Sequence, residues 1–271
     1  MYRVRPKKNL GQHFLTDMSV AQRIADTIDS YPDIPVLEVG PGMGALTQFL
    51  LPKQRPLKVV EIDRESISYL HEHMPAIRDG IVEGNFLKMD LENIFDGRPF
   101  VLTGNYPYNI SNQIFFRLLE YRHLIPCCTG MIQKEVAERL TSGPGSKEYG
   151  ILSVFLSVWY DTEYLFTVPE TVFSPPPKVK SAVVRFTRNK VTDMGCDEKL
   201  FMRLVKVVFN QRRKMMRGSI KPLLAQLDAE KNTIDTDHSA FLQTDILTRR
   251  PEQLSVEDFI HLTNQVAALY S

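Results

Sequence analysis

Through its first two-thirds the chain alternates short apolar runs with stretches of helical periodicity, a pattern that demands a parallel sheet covered by helices. Val36-Leu37-Glu38-Val39 reads as a buried strand, followed by a glycine-rich turn and a helix from Ala45 to Leu51. Lys58-Val59-Val60-Glu61-Ile62 is a second strand, with a helix over Arg64 to His73. Ile81-Val82-Glu83 is a third, Phe100-Val101-Leu102-Thr103 a fourth, and Cys127 to Gln133 a fifth. Between the last two, Ser111 to Glu120 sets Ile114, Phe115, Leu118 and Leu119 on one side of a helix. Crossover helices on both faces bury such strands. Ligands of these sheets sit outside the carboxyl ends of the strands. Two more β-rich segments, Thr162 to Val168 and Val179 to Phe186, flank Pro175-Pro176-Pro177 and are expected to add an antiparallel pair at the sheet's end.

Beyond Arg188 the pattern turns helical, over Glu198 to Phe209, Arg217 to Leu227 and Val256 to Leu269, with Ser255 and Asp258 spaced as a capping box. The expected architecture is an α/β Rossmann-like sheet domain over residues 1–188 and a small all-helical domain over 189–271. The length of 271 residues suits two domains. Net charge is only +1, but its distribution is uneven. Thr171 to Lys221 holds 13 Lys/Arg against three acids, and Pro222 to Ser271 holds three against eight. One face is thereby suited to an anion such as nucleic acid, with a merely solvated basic surface as the alternative. No run reaches the roughly 18 apolar residues of a membrane helix. The basic start, Met1 to Lys8, lacks the apolar stretch of a signal peptide. Three cysteines, two of them adjacent, build no disulfide framework, and the six histidines are scattered. These features predict a cytoplasmic protein with reduced thiols, no metal and no membrane.

Glu38-Val39-Gly40-Pro41-Gly42-Met43-Gly44 joins the first strand to its helix, and its glycines let the backbone approach a ligand closely. Glu61 follows 21 residues after Gly40, where an acid can accept from ribose hydroxyls. The G-x-G-x-G spacing differs from the G-x-G-x-x-G of nicotinamide enzymes. Gly84-Asn85-Phe86-Leu87 ends the third strand beside the expected adenine, where Asn85 can accept through its side-chain carbonyl; a plain turn residue is the competing reading. Gly11-Gln12-His13-Phe14-Leu15 precedes the fold and could close over the other end of a cofactor.

Asn105-Tyr106-Pro107-Tyr108 follows the fourth strand into the same pocket. An exocyclic adenine nitrogen is a poor nucleophile because its lone pair is delocalised into the ring. Two acceptors on its hydrogens, the Asn105 side-chain carbonyl and the Tyr106 backbone carbonyl, would localise that pair. Pro107 stiffens the turn, and Tyr108 offers a ring on which an extruded base can stack. Such a site uses S-adenosylmethionine as methyl donor and needs no general base. Phe173, held by Ser174-Pro175-Pro176-Pro177-Lys178, is either the second side of a base sandwich or a core residue.

In register over nearly the whole chain, these motifs resemble the ribosomal RNA small-subunit adenine dimethyltransferase family, of the bacterial KsgA/RsmA type. They are Lys8-Asn9-Leu10-Gly11-Gln12-His13-Phe14-Leu15, Leu37 to Thr47, Gly104 to Ser111, Phe173 to Val179, and Phe209-Asn210-Gln211-Arg212-Arg213-Lys214. The resemblance implies dimethylation of two adjacent adenosines in the 3'-terminal hairpin loop of small-subunit ribosomal RNA, on the assembling subunit; nothing in the sequence indicates dimerisation, and a monomer is expected. It implies cofactor contacts at His13, Leu15, Gly40, Glu61, the Asn85 position and Asn105, and the expected cofactor-binding set adds their neighbours Gln12, Glu38, Gly42, Ile62 and Phe86. The family usually has Asp in place of Asn85 and often Leu in place of Tyr106. Arg212, Arg213, Lys214, Arg217 and Lys221, brought partly to one side by helical spacing, are the expected RNA contacts. A macrolide-resistance methyltransferase of large-subunit RNA, a DNA adenine methyltransferase and a non-catalytic ribosome-assembly factor are the alternatives.

Overall fold

A computed structural model of the chain describes residues 4–7, 10–233 and 237–270. Met1 to Arg3, and the Lys8-Asn9 that opens the first motif, lie outside the described residues. The chain forms two compact units, Met1–Glu138 with Tyr160–Asn189, and Arg139–Trp159 with Lys190–Ser271.

The first unit contains β1 (Phe14–Leu15), α1 (Met18–Asp26), β2 (Val36–Val39), α2 (Thr47–Leu50), β3 (Leu57–Glu61), α3 (Arg64–His73), β4 (Ile81–Glu83), β5 (Val101–Asn105), α4 (Ser111–Glu120) and β6 (Cys127–Gln133). After β6 comes α5 (Lys134–Leu140), and the chain returns to this unit for β7 (Tyr160–Val168), β8 (Phe173–Ser174) and β9 (Ser181–Arg188). The seven-stranded sheet runs β4-β3-β2-β5-β6-β9-β7. β2 to β6 are parallel, and β9 lies antiparallel between β6 and β7. The expected antiparallel pair does close the sheet's end. Strand order reverses at β2, whose neighbours are β3 and β5, and ligand crevices open at such points.

Packing follows the sequence pattern. α1, capped by Asp17 on the Ser19 N–H, buries Ala21, Ile24 and Ala25 against Val36, Val101, Cys127 and Met131. The helix expected over Ala45 to Leu51 is reduced to α2, because Gly44 is left-handed just before it and Pro52 belongs to a 3-10 turn just after it. β1 pairs antiparallel with β8, Phe14 opposite Ser174 and Leu15 opposite Phe173. Two-residue strands have too little periodicity to be read in advance.

The second unit holds α6 (Ile151–Trp159), α7 (Glu198–Phe209), α8 (Met216–Ser219), α9 (Lys221–Lys231), α10 (Ser239–Leu242) and α11 (Val256–Ala268). Its boundary corrects the expected division at 188/189. The sheet unit extends to Asn189, and residues 139–159 join the helices. The reason lies in α6, which is apolar nearly all round and so needs cover on every side. Phe155 meets Phe201 of α7 with ring centroids 6.1 Å apart, and Phe209 meets Phe259 of α11 at 6.0 Å. The single helix expected over Arg217 to Leu227 is two, α8 and α9, with Pro222 in the first turn of α9. A proline has no N–H to continue a preceding helix and suits a helix start. The capping box at Ser255 is present, with both reciprocal bonds at 3.1 Å. Among the described residues no helix is long and apolar enough to cross a membrane.

Candidate active site

The carboxyl ends of β2, β3, β4 and β5 surround a cavity of about 220 Å³ in the first unit. At the end of β2, Gly40, Gly42 and Gly44 all take positive φ, at 70°, 56° and 79°. A Cβ on Gly44 would lie 2.1 Å from the sulfur of the flexible Met74 side chain, which would have to shift, but it is the positive φ that demands glycine there. Glu38 is buried and accepts the Thr47 hydroxyl at 2.7 Å. Burial, with the Glu61 charge nearby, raises its carboxyl to about 8 in spite of the Thr47 bond.

At the end of β3, Glu61 is 5% exposed and lines the cavity. Its Oε1 accepts the Ile62 and Asp63 N–H groups, each at 2.9 Å, and Oε2 accepts the Gly42 N–H at 3.1 Å. Burial raises this carboxyl above its ordinary value and the three N–H bonds pull it partly back. They occupy three of the roughly four acceptor sites of a carboxylate, and Oε2 keeps the open one. Ile62 is half exposed at the rim, while Phe86 is buried in the wall. Asn85 caps a 3-10 turn, its Oδ1 accepting the Leu87 N–H at 3.0 Å. The turn role and a place in the lining therefore coincide in Asn85.

At the end of β5, Asn105 donates from Nδ2 to the His13 carbonyl at 3.2 Å. That bond decides which end of the amide is free: Oδ1 is left as the acceptor. Pro107 lines the cavity against Gly40. The Tyr108 ring stacks on His13, with centroids 5.3 Å apart and planes 28° apart, and its hydroxyl is bonded to that of Ser181. Tyr106 behaves differently from its neighbours. Its N–H donates to the Met131 carbonyl at 3.0 Å, and its ring points into the core, 1% exposed.

Gln12, His13 and Leu15 also line the cavity. The structure thus brings the whole expected cofactor set together. It does not bring Phe173, which is a correction. Phe173 is 4% exposed and packs in the core with Leu15, Val20 and Val183, because pairing with β1 turns it inward. Of the two readings left open for it, core packing is the one observed. Three contributors escaped sequence reasoning: Thr47 on Glu38, Ser181 on Tyr108, and Asp63 at the start of α3. Asp63 carries a legible signal, since an Asp just before a helix beginning Arg-Glu-Ser reads as an N-cap.

In the second unit, Arg212, Arg213 and Lys214 occupy the turn after α7, Arg217 lies on α8, and Lys221 opens α9. The helical spacing expected to bring several of them to one side is interrupted, because the chain breaks twice between them. Arg213, Lys214, Arg217 and Lys221 are exposed, and among the described residues no carboxylate stands within ion-pair distance of them. Arg212 is partly buried and donates to the Lys147 carbonyl at 2.9 Å.

The cavity is built for a nucleoside-bearing cofactor. It offers a carboxylate oxygen for a ribose hydroxyl, an apolar wall with a polar turn for a base, and a close-approach glycine backbone. With an amide acceptor and a fixed aromatic ring alongside, this fold defines an S-adenosylmethionine-dependent methyltransferase. Comparison with known proteins narrows the class. The family model described as ribosomal RNA adenine dimethylase matches residues 3–253, and the chain belongs to that family. It is 62% identical to a ribosomal RNA small subunit methyltransferase A of Phocaeicola vulgatus, over 98% of this chain and 91% of the relative. It is 64% identical to the protein of the same name from Bacteroides thetaiotaomicron, over 97% and 94%. Among solved structures, a dimethyladenosine transferase from Plasmodium falciparum shares the fold with a TM-score of 0.81, at 24% identity, over 95% of this chain and 98% of that one. The 23S rRNA methyltransferase ErmE aligns with a TM-score of 0.66 at 27% identity, over 93% and 100%.

Proposed function

We propose that this enzyme dimethylates the exocyclic amino groups of two adjacent adenosines in the 3'-terminal hairpin loop of small-subunit ribosomal RNA. It acts in the cytoplasm as a monomer on the assembling subunit. The observation that carries the chemistry is the bond from Asn105 Nδ2 to the His13 carbonyl, which leaves Oδ1 to accept from the adenine amino group. The names of the relatives, which run nearly end to end with this chain at 62% and 64% identity, support the small subunit.

The geometry supports the following residue roles. Glu61, through Oε2, accepts from a ribose hydroxyl, Phe86 and Ile62 flank the cofactor's base, and Asn85 meets that base's polar edge. S-adenosylmethionine, when bound, supplies a methyl group activated by a sulfonium. Asn105 Oδ1 and the Tyr106 carbonyl accept the two amino hydrogens and draw the nitrogen toward tetrahedral geometry. Pro107 holds that turn, and Tyr108, fixed by His13 and Ser181, gives the base a surface to stack on. The nitrogen's surplus proton passes to water once the nitrogen is positively charged, so orientation supplies most of the acceleration. Arg213, Lys214, Arg217 and Lys221 neutralise phosphates and locate the hairpin by shape.

Incubation of the enzyme and labelled cofactor with isolated small and large ribosomal subunits, followed by mass analysis of the RNA, reports substrate, site and methyl count together. Two dimethyladenosines in small-subunit RNA are expected. Product on large-subunit RNA or DNA alone overturns the reading. Asn105→Ala should lower transfer about 100- to 1,000-fold, the scale of losing one preorganised polar contact to the transition state, with RNA binding intact. Unaltered transfer in that variant would show the acceptor role to be wrong.

A further inference from the structure

Asp63 lies two residues beyond Glu61 and caps α3, its Oδ1 accepting the Glu65 N–H at 3.2 Å. A cap needs no more than that. Yet the Asp63 side chain is 1% exposed and is surrounded by donors. Oδ1 also takes the Lys7 ammonium at 2.5 Å, and Oδ2 accepts from the Gln12 amide at 3.1 Å and the Ser66 hydroxyl at 3.3 Å. Gln12 closes the circuit by accepting the Lys7 N–H through Oε1 at 2.9 Å. The Lys7 ammonium further reaches Glu65 at 3.2 Å. Burial alone would raise the Asp63 carboxyl, but Lys7, Gln12 and the Glu65 N–H outweigh it and hold it below the usual carboxylate range.

The consequence of that anchoring appears one residue on, at His13. Its carbonyl accepts the Asn105 amide, its Nδ1 donates to the Pro175 carbonyl at 2.9 Å, and its ring stacks on Tyr108. Gly11 is left-handed at φ 63° and passes so close to Asn109 that a Cβ would lie 2.5 Å from its Oδ1. Residues 10–13 therefore touch both the cofactor cavity and the reacting turn.

We propose that Asp63, with Lys7 and Gln12, forms a positioning cluster for methyl transfer. By fixing residue 12 it sets the His13 carbonyl that orients the Asn105 amide, and it couples cofactor capture to that orientation. The proposal rests on Asn105 as the acceptor, and the test keeps the two apart.

The full-length enzyme is compared with Lys7→Met, Lys7→Arg, Gln12→Leu and Asn105→Ala, measuring kcat, KM for the cofactor, equilibrium binding of S-adenosylhomocysteine and the unfolding midpoint. Lys7→Met and Gln12→Leu are expected to lower kcat at saturating cofactor by about 10- to 100-fold, the scale of a small misplacement of a reacting group. They should also weaken S-adenosylhomocysteine binding; removing the Lys7 charge from the buried Asp63 lowers the ligand-free unfolding midpoint as well, so kcat is read well below each variant's own midpoint. Lys7→Arg should recover most of the loss. If both variants keep wild-type kcat and cofactor KM while Asn105→Ala is inactive, the cluster has no positioning role and the reading of the site stands. If activity falls only in step with the unfolding midpoint, or Lys7→Arg is as poor as Lys7→Met, the proposal is likewise overturned. Transfer at the wild-type rate in Asn105→Ala instead refutes the acceptor role itself.

Discussion

Replacing Tyr106 by Phe should weaken the fold while leaving turnover untouched, although Tyr106 sits inside the reacting tetrapeptide. Its hydroxyl donates to the Thr129 carbonyl at 3.1 Å and lies 3.3 Å from the Cys128 sulfur. Its ring meets Phe115 edge-on, centroids 6.2 Å apart. The space it fills exists because two adjacent strands carry glycine at that level. A Cβ on Gly104 would approach the ring to 3.1 Å, and one on Gly130 to 2.6 Å. Removing the hydroxyl forfeits one buried hydrogen bond, about 1 kcal/mol. For a unit of this size that corresponds to a midpoint lower by roughly 2–4 °C. Tyr106→Leu, which also empties part of the ring's volume, should cost about 2–4 kcal/mol. Thermal unfolding gives the first quantity, and methyl transfer to small subunits well below the midpoint gives the second. The chemistry uses only the backbone carbonyl here, so kcat should stay within about threefold of wild type in both variants. A fall in kcat beyond about tenfold, equivalent to about 1.4 kcal/mol of barrier, with an unmoved midpoint would refute the reasoning.

Two further outcomes are expected. The folded protein holds the Glu38 proton up to about pH 8, whereas an ordinary carboxyl releases it near 4.5. Stability from this group is therefore complete below pH 4.5 and is lost progressively as pH rises to about 8. The upper limit is roughly 5 kcal/mol at about 1.4 kcal/mol per unit. Glu38→Gln, which can still accept from Thr47, should remove that slope between pH 5 and 9; denaturant midpoints of wild type and variant running parallel across the range would contradict it. Lys214→Gln and Arg217→Gln should weaken RNA binding and each lower the log–log salt slope by about 0.7–0.9, with kcat at saturating RNA unchanged. An unaltered slope would remove those residues from the RNA face.

The parallel strands were legible because their runs are apolar on both faces, and the glycine loop and Glu61 because their spacing repeats a known physical requirement. Three things were not. Phe173 turned out to be core because its orientation depends on a two-residue pairing with β1, and no periodicity exists over two residues. The helical unit's claim on residues 139–159 was hidden because α6 sits between two sheet strands in the chain, so sequence order alone places it with them. The Asp63 cluster joins residues 51 and 56 positions apart, a distance across which no local pattern speaks. Asn105 itself was readable as an acceptor, but the bond that fixes its orientation belongs to the His13 backbone, to which any residue type would contribute the same carbonyl.

The position of α6 sets an order on the chain's synthesis. Ile151–Trp159 is translated before α7 and long before α11, the helices that cover it. At about 5–20 residues per second, the roughly one hundred residues up to the end of α11 take on the order of 5–20 s. For that interval the most apolar helix of the molecule has only part of its shelter. β7 emerges in the same interval and must wait for β9, the strand that joins it to the sheet. Neither unit can therefore close before the chain has passed through the other. A truncated product ending after Val168 would present both a bare helix and an unpaired strand, and is expected to bind holding chaperones or aggregate.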